Sequence, residues 1–360
     1  MPDEWEPHEA TWIAWPHNRS DWPGKFEAIP WVYAEIVRHL ARSERVHILV
    51  NDEAAELKAR AVLVKAAVLP EAAVEPGNIS GNVVFVRIPT NRVWTRDYGP
   101  IFVKRKSGRK DSLPAVAATA WRFNAWAKYN DWKLDAPVSA ELAQRLNMPH
   151  WKPTVHINDK PQRVVLEGGS IDVNGRGTLI TTEECLLSDV QARNPGLSRE
   201  ELERIFNDYL DVKHVIWLER GIAGDDTHGH VDDITRFVAP TTVLTAYEED
   251  RSDANHEPLR ENNRKLTKST DQSGKPLRVI KLPMPSPVVF RGQRLPASYA
   301  NFYIANRSVL VPVFNDPNDR IALNTLAQAF PKREIVGIYC GDLIWGLGAL
   351  HCMTQQQPAG

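Results

Sequence analysis

The sequence predicts an α/β fold in which strand–strand–helix–strand units repeat around a common axis. Three strands of similar sequence begin at Thr178, Thr242 and Ser308, so they recur about every 65 residues. A predicted helix and then another strand follow each of them. One such unit cannot bury both of its faces, whereas several units in a ring can. A ring of this kind offers one end of its axis as a natural ligand site.

The N-terminal half of the chain predicts one helix and several strands. The helix covers residues 31–42, and the strand Arg45–Val50 follows it. Apolar strands are expected over residues 82–88 and 163–166, and each precedes a motif described below. A charged turn is expected at residues 107–112.

The helices of the repeat are indicated by their N-terminal signals. Ser198 and Glu201 form a capping box. Asp316 is a cap followed by proline at the first helical position, and a weaker helix is expected over residues 257–266. The apolar residues of the last helix are expected near one face: Ile321, Leu326 and Phe330.

The composition is that of a globular protein without a strong net charge. The chain has 360 residues, 42% of them hydrophobic, with 44 basic and 45 acidic side chains and a formal net charge of −1. Such a net charge gives no overall field that would attract the protein to nucleic acid or an anionic membrane. The length would allow two domains, but no segment is typical of a linker, so we expect one catalytic domain over residues 1–360.

The cysteine content and the N-terminal sequence indicate a cytoplasmic protein. There are three cysteines, and an odd, sparse set argues against disulfides and favours a reducing compartment. The first residues lack the basic and apolar regions of a secretory signal. No apolar run approaches the length of a membrane span.

A cysteine near the C-terminal end is the first candidate for chemistry. Cys352 directly follows His351 and comes shortly after the run Gly346-Leu-Gly348. A cysteine nucleophile needs nearby positive charge, or a cationic substrate, to favour the thiolate. The alternative is a buried cysteine that acts as a small hydrophobe. Cys185 and Cys340 lie in apolar contexts and are interpreted as core residues.

Imidazoles and carboxylates alternate between residues 226 and 232. A strand here would point His228, His230 and Asp232 to one face, with Asp226 if the strand extends that far. One interpretation is a catalytic histidine braced by carboxylates. Another is a metal-dependent hydrolase, because His-x-His-x-Asp resembles the ligand spacing of such enzymes. The metal would need further ligands, and neither downstream histidine lies in a convincing motif. A solvated strand end is the third interpretation.

Two further motifs follow predicted strands. In Trp94-Thr-Arg-Asp97, the carboxylate and an aromatic neighbour could clamp a planar cation. A surface pair of Arg96 and Asp97 at a turn is the alternative. The glycines of Glu167-Gly-Gly169 would let a ligand approach, although Gly-Gly after a strand mostly marks a turn.

Taken together, these segments resemble the agmatine deiminase family, which is related to the bacterial peptidylarginine deiminases among the guanidino-group modifying enzymes. The matching segments occur in the family's order along nearly the whole chain: residues 94–100, 167–170, 226–232, 299–303 and 351–358. The resemblance implies a five-bladed, pseudo-symmetric α/β propeller, the pentein fold, which agrees with the repeat described above.

The resemblance also implies roles for individual residues. Cys352 is then the nucleophile, His230 the general acid/base, and Asp97 and Asp232 the carboxylates that bind a guanidinium group. Further substrate-binding residues are implied with less support: Trp94, Asp226, Glu167 and Gly169. Two departures from the family concern substrate choice and backbone shape. His228 stands where these enzymes usually carry asparagine, and Leu347 interrupts what is usually a run of three glycines.

The implied reaction converts agmatine to N-carbamoylputrescine and ammonia through a covalent S-alkylthiouronium. It uses no metal and no organic cofactor, and its partner is a small cationic guanidino substrate rather than nucleic acid or a membrane. A homodimer is compatible with this interpretation. We expect the distal amine of agmatine to meet Asp226 or a residue of 248–250.

Three alternatives remain. The closest is deimination of peptidyl-arginine or free arginine. A metal-dependent hydrolase using His228, His230 and Asp232 is more remote. A binding protein without catalytic activity is the most remote.

Overall fold

Five sheets of three or four strands form a mixed α/β structure. The computed structural model describes residues 1–75, 81–105, 115–157 and 159–360, so the turn predicted at residues 107–112 lies outside the described residues. Within those ranges there are five such sheets and two two-stranded hairpins.

The five sheets share one pairing pattern: a central strand is antiparallel to one neighbour and parallel to the other. In spatial order, the four-stranded sheet consists of Gln355–Pro358, His8–Ala14, Arg45–Val50 and Val83–Arg87. The four three-stranded sheets consist of Ile101–Lys104, Val116–Thr119 and His150–Trp151; Asp172–Val173, Thr178–Thr182 and His214–Leu218; Thr235–Ala239, Thr242–Tyr247 and Arg278–Pro283; and Tyr303–Ile304, Ser308–Val313 and Glu334–Tyr339. The hairpins pair Thr154–Ile157 with Lys160–Arg163 and Val289–Phe290 with Gln293–Arg294.

A helix joins the central strand of each sheet to its parallel neighbour, because parallel strands need a crossover connection. These helices are Ile29–Leu40, Val138–Arg145, Arg199–Leu210, His256–Lys268 and Pro317–Ala329. The other described helices are Glu53–Lys65, Thr95–Tyr98 and Glu183–Leu187. No helix in the described ranges combines the length and apolar character needed to cross a membrane.

The three strands that predicted the repeat are confirmed. The strands that begin at Thr178, Thr242 and Ser308 are each the central strand of a sheet. Ser198 and Glu201 form the predicted capping box. Burial of the apolar central strands against their crossover helices explains why the same pattern recurs in the sequence.

One prediction about the last helix is wrong. Asp316 caps this helix as expected, in a capping box with Asp319, but Ile321 is 53% exposed. Residues 321 and 326 are separated by about 140° around a helix axis, so Ile321 cannot share a face with Leu326. The buried face consists of Ala322 and Leu326.

The strand predicted across residues 226–232 is also wrong. The carboxylate of Asp225 accepts hydrogen bonds from the backbone N–H groups of Thr227, Gly229 and His230. These bonds compete with strand pairing. His228 has φ +63° and Gly229 has φ +94°, so the side chains do not alternate. The segment continues into a short 3-10 turn, Val231–Asp233.

The largest hydrophobic core packs the helices Ile29–Leu40 and Glu53–Lys65 against the four-stranded sheet, and it includes Cys352. The strand Gln355–Pro358 that follows Cys352 pairs with the first strand, His8–Ala14. The C-terminal segment is therefore fixed between the N-terminal sheet and the site described next.

Candidate active site

Four residues that the sequence singles out lie together in the interior. The Sγ atom of Cys352 is 3.7 Å from Oδ2 of Asp232. Nδ1 of His230 is 3.8 Å from Oδ1 of Asp97 and 4.0 Å from Oδ1 of Asp232. All four side chains are buried. A thiol, an imidazole and two carboxylates thus converge from three distant segments of the chain.

The thiol of Cys352 is held by an asparagine that the sequence did not single out. Asn301 donates from Nδ2 to Sγ at 3.0 Å and to Oδ1 of Asp233 at 2.9 Å. Burial raises the pKa of the Cys352 thiol well above its usual range, and the charges of Asp232, Asp233 and Asp97 raise it further. The thiol therefore stays protonated until a cation offsets these carboxylates.

Asp97 is oriented by two hydrogen bonds. Its Oδ1 accepts from the backbone N–H of Gly169 at 3.0 Å, and its Oδ2 accepts from the indole N–H of Trp126 at 2.9 Å. Burial raises the pKa of Asp97 to about 6; His230 opposes this shift, and the carboxylates of Asp232 and Glu167 add to it. Asp97 is therefore ionised at neutral pH, with little margin.

Gly169 is required by the space around Asp97 and His230. A Cβ atom at this position would lie 2.6 Å from Nδ1 of His230 and 2.9 Å from Oδ1 of Asp97. Such distances are far inside van der Waals contact. The glycine therefore lets the backbone approach the site, as the Gly-Gly motif suggested.

Asp232 is held in its ionised form by a neighbouring histidine. Nδ1 of His351 lies 2.7 Å from Oδ2 of Asp232, and Nε2 lies 2.8 Å from Oε2 of Glu4. Although burial opposes it, the hydrogen bond with His351 holds the pKa of Asp232 below its usual range. Oδ1 of Asp232 has no hydrogen-bond partner within the part of the chain that the structure describes, so it can accept from a ligand.

His230 is fully buried, with Asp97 and Asp232 near its Nδ1 atom and Glu167 near its Nε2 atom. Nε2 lies 3.6 Å from Oε2 of Glu167, and Glu167 accepts from Nε of Arg193 at 3.1 Å. Although burial opposes it, Asp97 raises the pKa of His230 well above its usual range, with help from Cys185 and Glu167. The surrounding acids therefore favour the protonated imidazole, which can act as a general acid.

A narrow cavity of about 210 Å³ leads to Cys352 and Asp97. Its walls combine aromatic rings with acidic groups, as expected for a site that binds an organic cation. The aromatic residues are Trp94, Trp126, Tyr129 and Trp345, and the acidic ones are Asp21, Asp97 and Asp226. A larger cavity of about 600 Å³ lies near Met1 and Tyr209, but its lining contains neither cysteine nor histidine.

The loop before Cys352 fits closely against an aromatic wall. A Cβ atom at Gly348 would lie 2.6 Å from the ring of Trp94. Leu347 adopts a left-handed conformation with φ +69° and lines the cavity. A residue other than glycine is thus accommodated at the position where the chain departs from the resembled family.

Asp226, which was predicted to bind substrate, lines the cavity. Its carboxylate accepts from the hydroxyl of Tyr129 at 2.5 Å and forms an ion pair with Lys128. Residues 248–250 do not line this cavity, so the expectation that they meet a distal amine is not supported.

His228 is separated from His230 and Asp232. Its Nε2 lies 3.2 Å from Oγ of Ser188, and its Nδ1 lies 4.0 Å from Oε1 of Glu184. Among the residues that the structure describes, the groups with metal-ligand spacing are Glu167, Cys185 and His230, and Asp232, Asp233 and Cys352. Neither group contains His228, so the predicted set of His228, His230 and Asp232 is not assembled.

Comparison with known proteins decides the family. The family model described as Porphyromonas-type peptidyl-arginine deiminase matches residues 1–358. The chain belongs to this family. The relationship that the five sequence motifs predicted is thereby confirmed.

Relatives in the family are similar over their whole length. The chain is 36% identical over 387 residues to the agmatine deiminase of Medicago truncatula, covering 100% of this chain and 96% of that protein. It is 36% identical over 382 residues to the agmatine deiminase of Pseudomonas aeruginosa, covering 100% and 95%. The structure of the agmatine deiminase of Enterococcus faecalis is similar with a TM-score of 0.85 at 31% identity, covering 99% of this chain and 95% of that one.

Sequence reasoning missed several residues of this deiminase-family site. Asn301 lies within the segment 299–303, for which the sequence predicted no role, and His351 directly precedes the cysteine. Both positions could have been identified from the sequence, because each lies in a motif that matches the family. Trp126 and Glu4 could not, because their contacts join segments that are remote in the sequence. Cys185 is buried as predicted, but its proximity to His230 was not foreseen.

Proposed function

We propose that this protein hydrolyses the guanidinium group of agmatine to N-carbamoylputrescine and ammonia. The observation that carries the proposal is the thiol of Cys352 beside Asp232, at the end of a narrow cavity with acidic and aromatic walls. Full-length relatives named agmatine deiminase support the same activity.

Substrate binding prepares the nucleophile. Asp97 and Asp232 accept hydrogen bonds from the guanidinium nitrogens, Asp232 through its unpartnered Oδ1. The indoles of Trp94 and Trp126 face the cation. Because the bound cation offsets the acidic groups around Cys352, it lowers the pKa of the thiol, which then loses its proton to solvent.

The first half of the reaction releases ammonia. The thiolate of Cys352 attacks the central guanidinium carbon, and the electrons of the C=N bond move to nitrogen. Protonated His230 gives its proton to the departing nitrogen, the C–N bond breaks, and ammonia leaves. A cationic S-alkylthiouronium remains on the cysteine, and His230 is neutral.

The second half releases the ureido product. Neutral His230 takes a proton from water as the water oxygen attacks the thiouronium carbon. The C–S bond then breaks and the electron pair returns to sulfur as thiolate. The remaining hydroxyl proton passes through solvent to ammonia. His230 is again protonated, and the thiolate takes a proton back from solvent once the cation has left, so the enzyme returns to its starting state.

The outer cavity favours an amine over a carboxylate at the distal end of the substrate. Asp226 and Asp21 line it. The distal ammonium of agmatine takes the place of the Lys128 ammonium in the ion pair with Asp226. Among the described residues, the one cationic side chain in the lining is Arg92, whose Nη1 lies 2.7 Å from Asp21 and whose Nη2 lies 3.1 Å from Asp131. Arg92 is therefore already neutralised, and the carboxylate of free arginine would have to draw Arg92 or Lys128 away from an acidic partner.

The decisive experiment compares three substrates on the purified protein. Agmatine, free arginine and a blocked peptidyl-arginine are incubated separately, and the ureido product is measured. An unpaired buried carboxylate costs about 1–3 kcal/mol, so kcat/KM for agmatine should exceed that for arginine by at least about tenfold. A ratio near one, or a preference for arginine, would remove agmatine as the substrate.

The nucleophile is tested with matched cysteine variants. Cys352→Ala should lower kcat by more than about ten-thousandfold, since no other residue supplies the thiolate. Cys340 is buried outside the cavity, and Cys340→Ser should keep turnover within a few-fold. Full turnover by Cys352→Ala would exclude the proposed mechanism.

We further propose the larger arrangement that the resemblance implied. The shared pairing pattern of the five sheets supports five blades around one axis, and a family match over residues 1–358 supports a single catalytic domain. The three free cysteines support a reducing compartment, the cytoplasm.

A further inference from the structure

A second cysteine lies beside the general acid/base and outside the proposed reaction. The ligand atoms of Cys185, Glu167 and His230 all lie within 4.8 Å of one another, and all three residues are buried. Thiolate sulfur, imidazole nitrogen and carboxylate oxygen are the donors that Zn²⁺ selects in proteins. This cluster shares His230 with the candidate active site but does not include Cys352.

An independent observation points to a ligand at this position. His230 is 0% exposed, yet neither of its ring nitrogens has a hydrogen-bond partner among the residues that the structure describes. The nearest carboxylate oxygen on the side of Nε2 is Oε2 of Glu167, at 3.6 Å. A buried ring nitrogen is normally paired, so an unpaired one indicates room for another partner.

We propose that a thiophilic divalent cation, Zn²⁺, binds Glu167, Cys185 and Nε2 of His230 and inhibits the enzyme. Donors around a tetrahedral Zn²⁺ are about 3.3–3.8 Å apart, so the three side chains need to move by about 1 Å. Binding displaces one proton from His230 and one from the Cys185 thiol, both to solvent. Glu167 keeps its bond from Arg193 and uses a second lone pair for the metal.

The bound metal blocks the proposed reaction because it replaces the proton that His230 must give to the leaving nitrogen. Release of two protons offsets the charge of the metal, so the net charge of the cluster does not change. Because the cluster is buried, we expect inhibition to develop slowly after mixing. Because binding releases two protons, we expect inhibition to strengthen as pH rises.

Metal binding is tested independently of activity. Co²⁺ is added to full-length wild-type protein and to the Cys352→Ala and Cys185→Ala variants, and the thiolate-to-cobalt absorption band is recorded; Zn²⁺ stoichiometry is measured by equilibrium dialysis. The band should persist in Cys352→Ala and disappear in Cys185→Ala. Loss in Cys352→Ala with retention in Cys185→Ala would overturn the proposal, because it would place the metal on Asp232, Asp233 and Cys352.

A second arm measures inhibition and rests on the proposed function. Zn²⁺ should inhibit agmatine turnover by wild-type protein. Cys185→Ser should weaken the inhibition by more than about tenfold, because loss of a group that only hydrogen-bonds a metal ligand already lowers metal affinity by that factor. The serine variant preserves the volume of the buried site, and its melting temperature establishes folding. Equal Zn²⁺ sensitivity of both proteins overturns the proposal, whereas an absence of turnover with intact cobalt binding rejects only the proposed activity.

Discussion

Nδ1 of His351 lies 2.7 Å from Oδ2 of Asp232, with both side chains almost fully buried. This contact joins the residue before the candidate nucleophile to a carboxylate from a different segment of the chain. Glu4 holds the other ring nitrogen of His351. The position and ionisation of Asp232 therefore depend on a histidine that does not line the cavity.

His351→Ala should lower kcat/KM for agmatine by about ten- to a hundredfold, because a buried charged hydrogen bond is worth about 1–3 kcal/mol. Without this bond the pKa of Asp232 rises, so the acidic limb of the kcat/KM profile should move to higher pH. His150→Ala, outside the cavity, is the control and should leave the profile in place. An acidic limb that does not move in His351→Ala would contradict this role.

The acidic limb of the wild-type profile should reflect Asp97. Its pKa is raised to about 6, so kcat/KM should fall as the pH drops below that value and the carboxylate loses its charge. Binding of a cation should weaken in parallel, which a KM series at fixed ionic strength measures. Affinity that is constant down to about pH 4, the ordinary Asp range, would exclude Asp97 as a guanidinium ligand.

The stability contribution of Asp97 should have the opposite pH dependence. The pKa of Asp97 is higher in the folded state than in the unfolded state, so the folded state binds this proton more tightly. The contribution of Asp97 to the free energy of unfolding is therefore fully present below the unfolded pKa and is lost as pH rises through about 6. Asp97 therefore favours the folded state least at the pH where the site is ready to bind. Thermal unfolding of wild type and Asp97→Asn from pH 4 to pH 7 measures this: the wild type should lose stability relative to the variant.

Gly169→Ala should lower kcat at least about a hundredfold, since displacement of reacting groups by about 1 Å has effects of that size. The new methyl group would overlap His230 and Asp97. Gly274→Ala is a suitable control: it has a positive φ, and nothing lies within 4 Å of its Cβ position. The control should lose stability but keep kcat, and a Gly169→Ala enzyme with normal kcat would show that the site can shift without cost.

Substitution of glycine in the turn that carries Trp126 should stabilise the protein. Ala125, Trp126 and Ala127 have φ of 51°, 57° and 54°, a region unfavourable for non-glycine residues by about 1–2 kcal/mol each. Ala127→Gly should therefore raise the free energy of unfolding by about 0.5–1 kcal/mol. It should also raise KM, because Trp126 then orients Asp97 less firmly.

A matched alanine gives the opposite expectation for stability. Ala327 is exposed within the helix Pro317–Ala329, so Ala327→Gly should lower stability by about 1 kcal/mol and leave KM unchanged. Destabilisation by Ala127→Gly would show that the turn is not strained. Chemical denaturation and agmatine kinetics on both variants provide the measurements.

The repeat and the four central site residues could be predicted from sequence because they depend on local patterns. These residues are Asp97, His230, Asp232 and Cys352. The strand at Thr178 and the capping box at Ser198 follow from spacing alone. The alternation of His228, His230 and Asp232 predicts a strand, whereas the backbone hydrogen bonds to Asp225 form a loop that turns His228 away from the other two. Glu4 could not be found, since its partner His351 is 347 residues away and no local pattern encodes such a contact.

The pairing of His8–Ala14 with Gln355–Pro358 has a consequence for protein synthesis. On the ribosome, the first strand is translated several hundred residues before its antiparallel neighbour, so its edge stays unpaired over that interval. The thiol of Cys352 emerges only just ahead of the same neighbour. A chain that stops before Cys352 would therefore lack the candidate nucleophile and would keep an open sheet edge that favours aggregation.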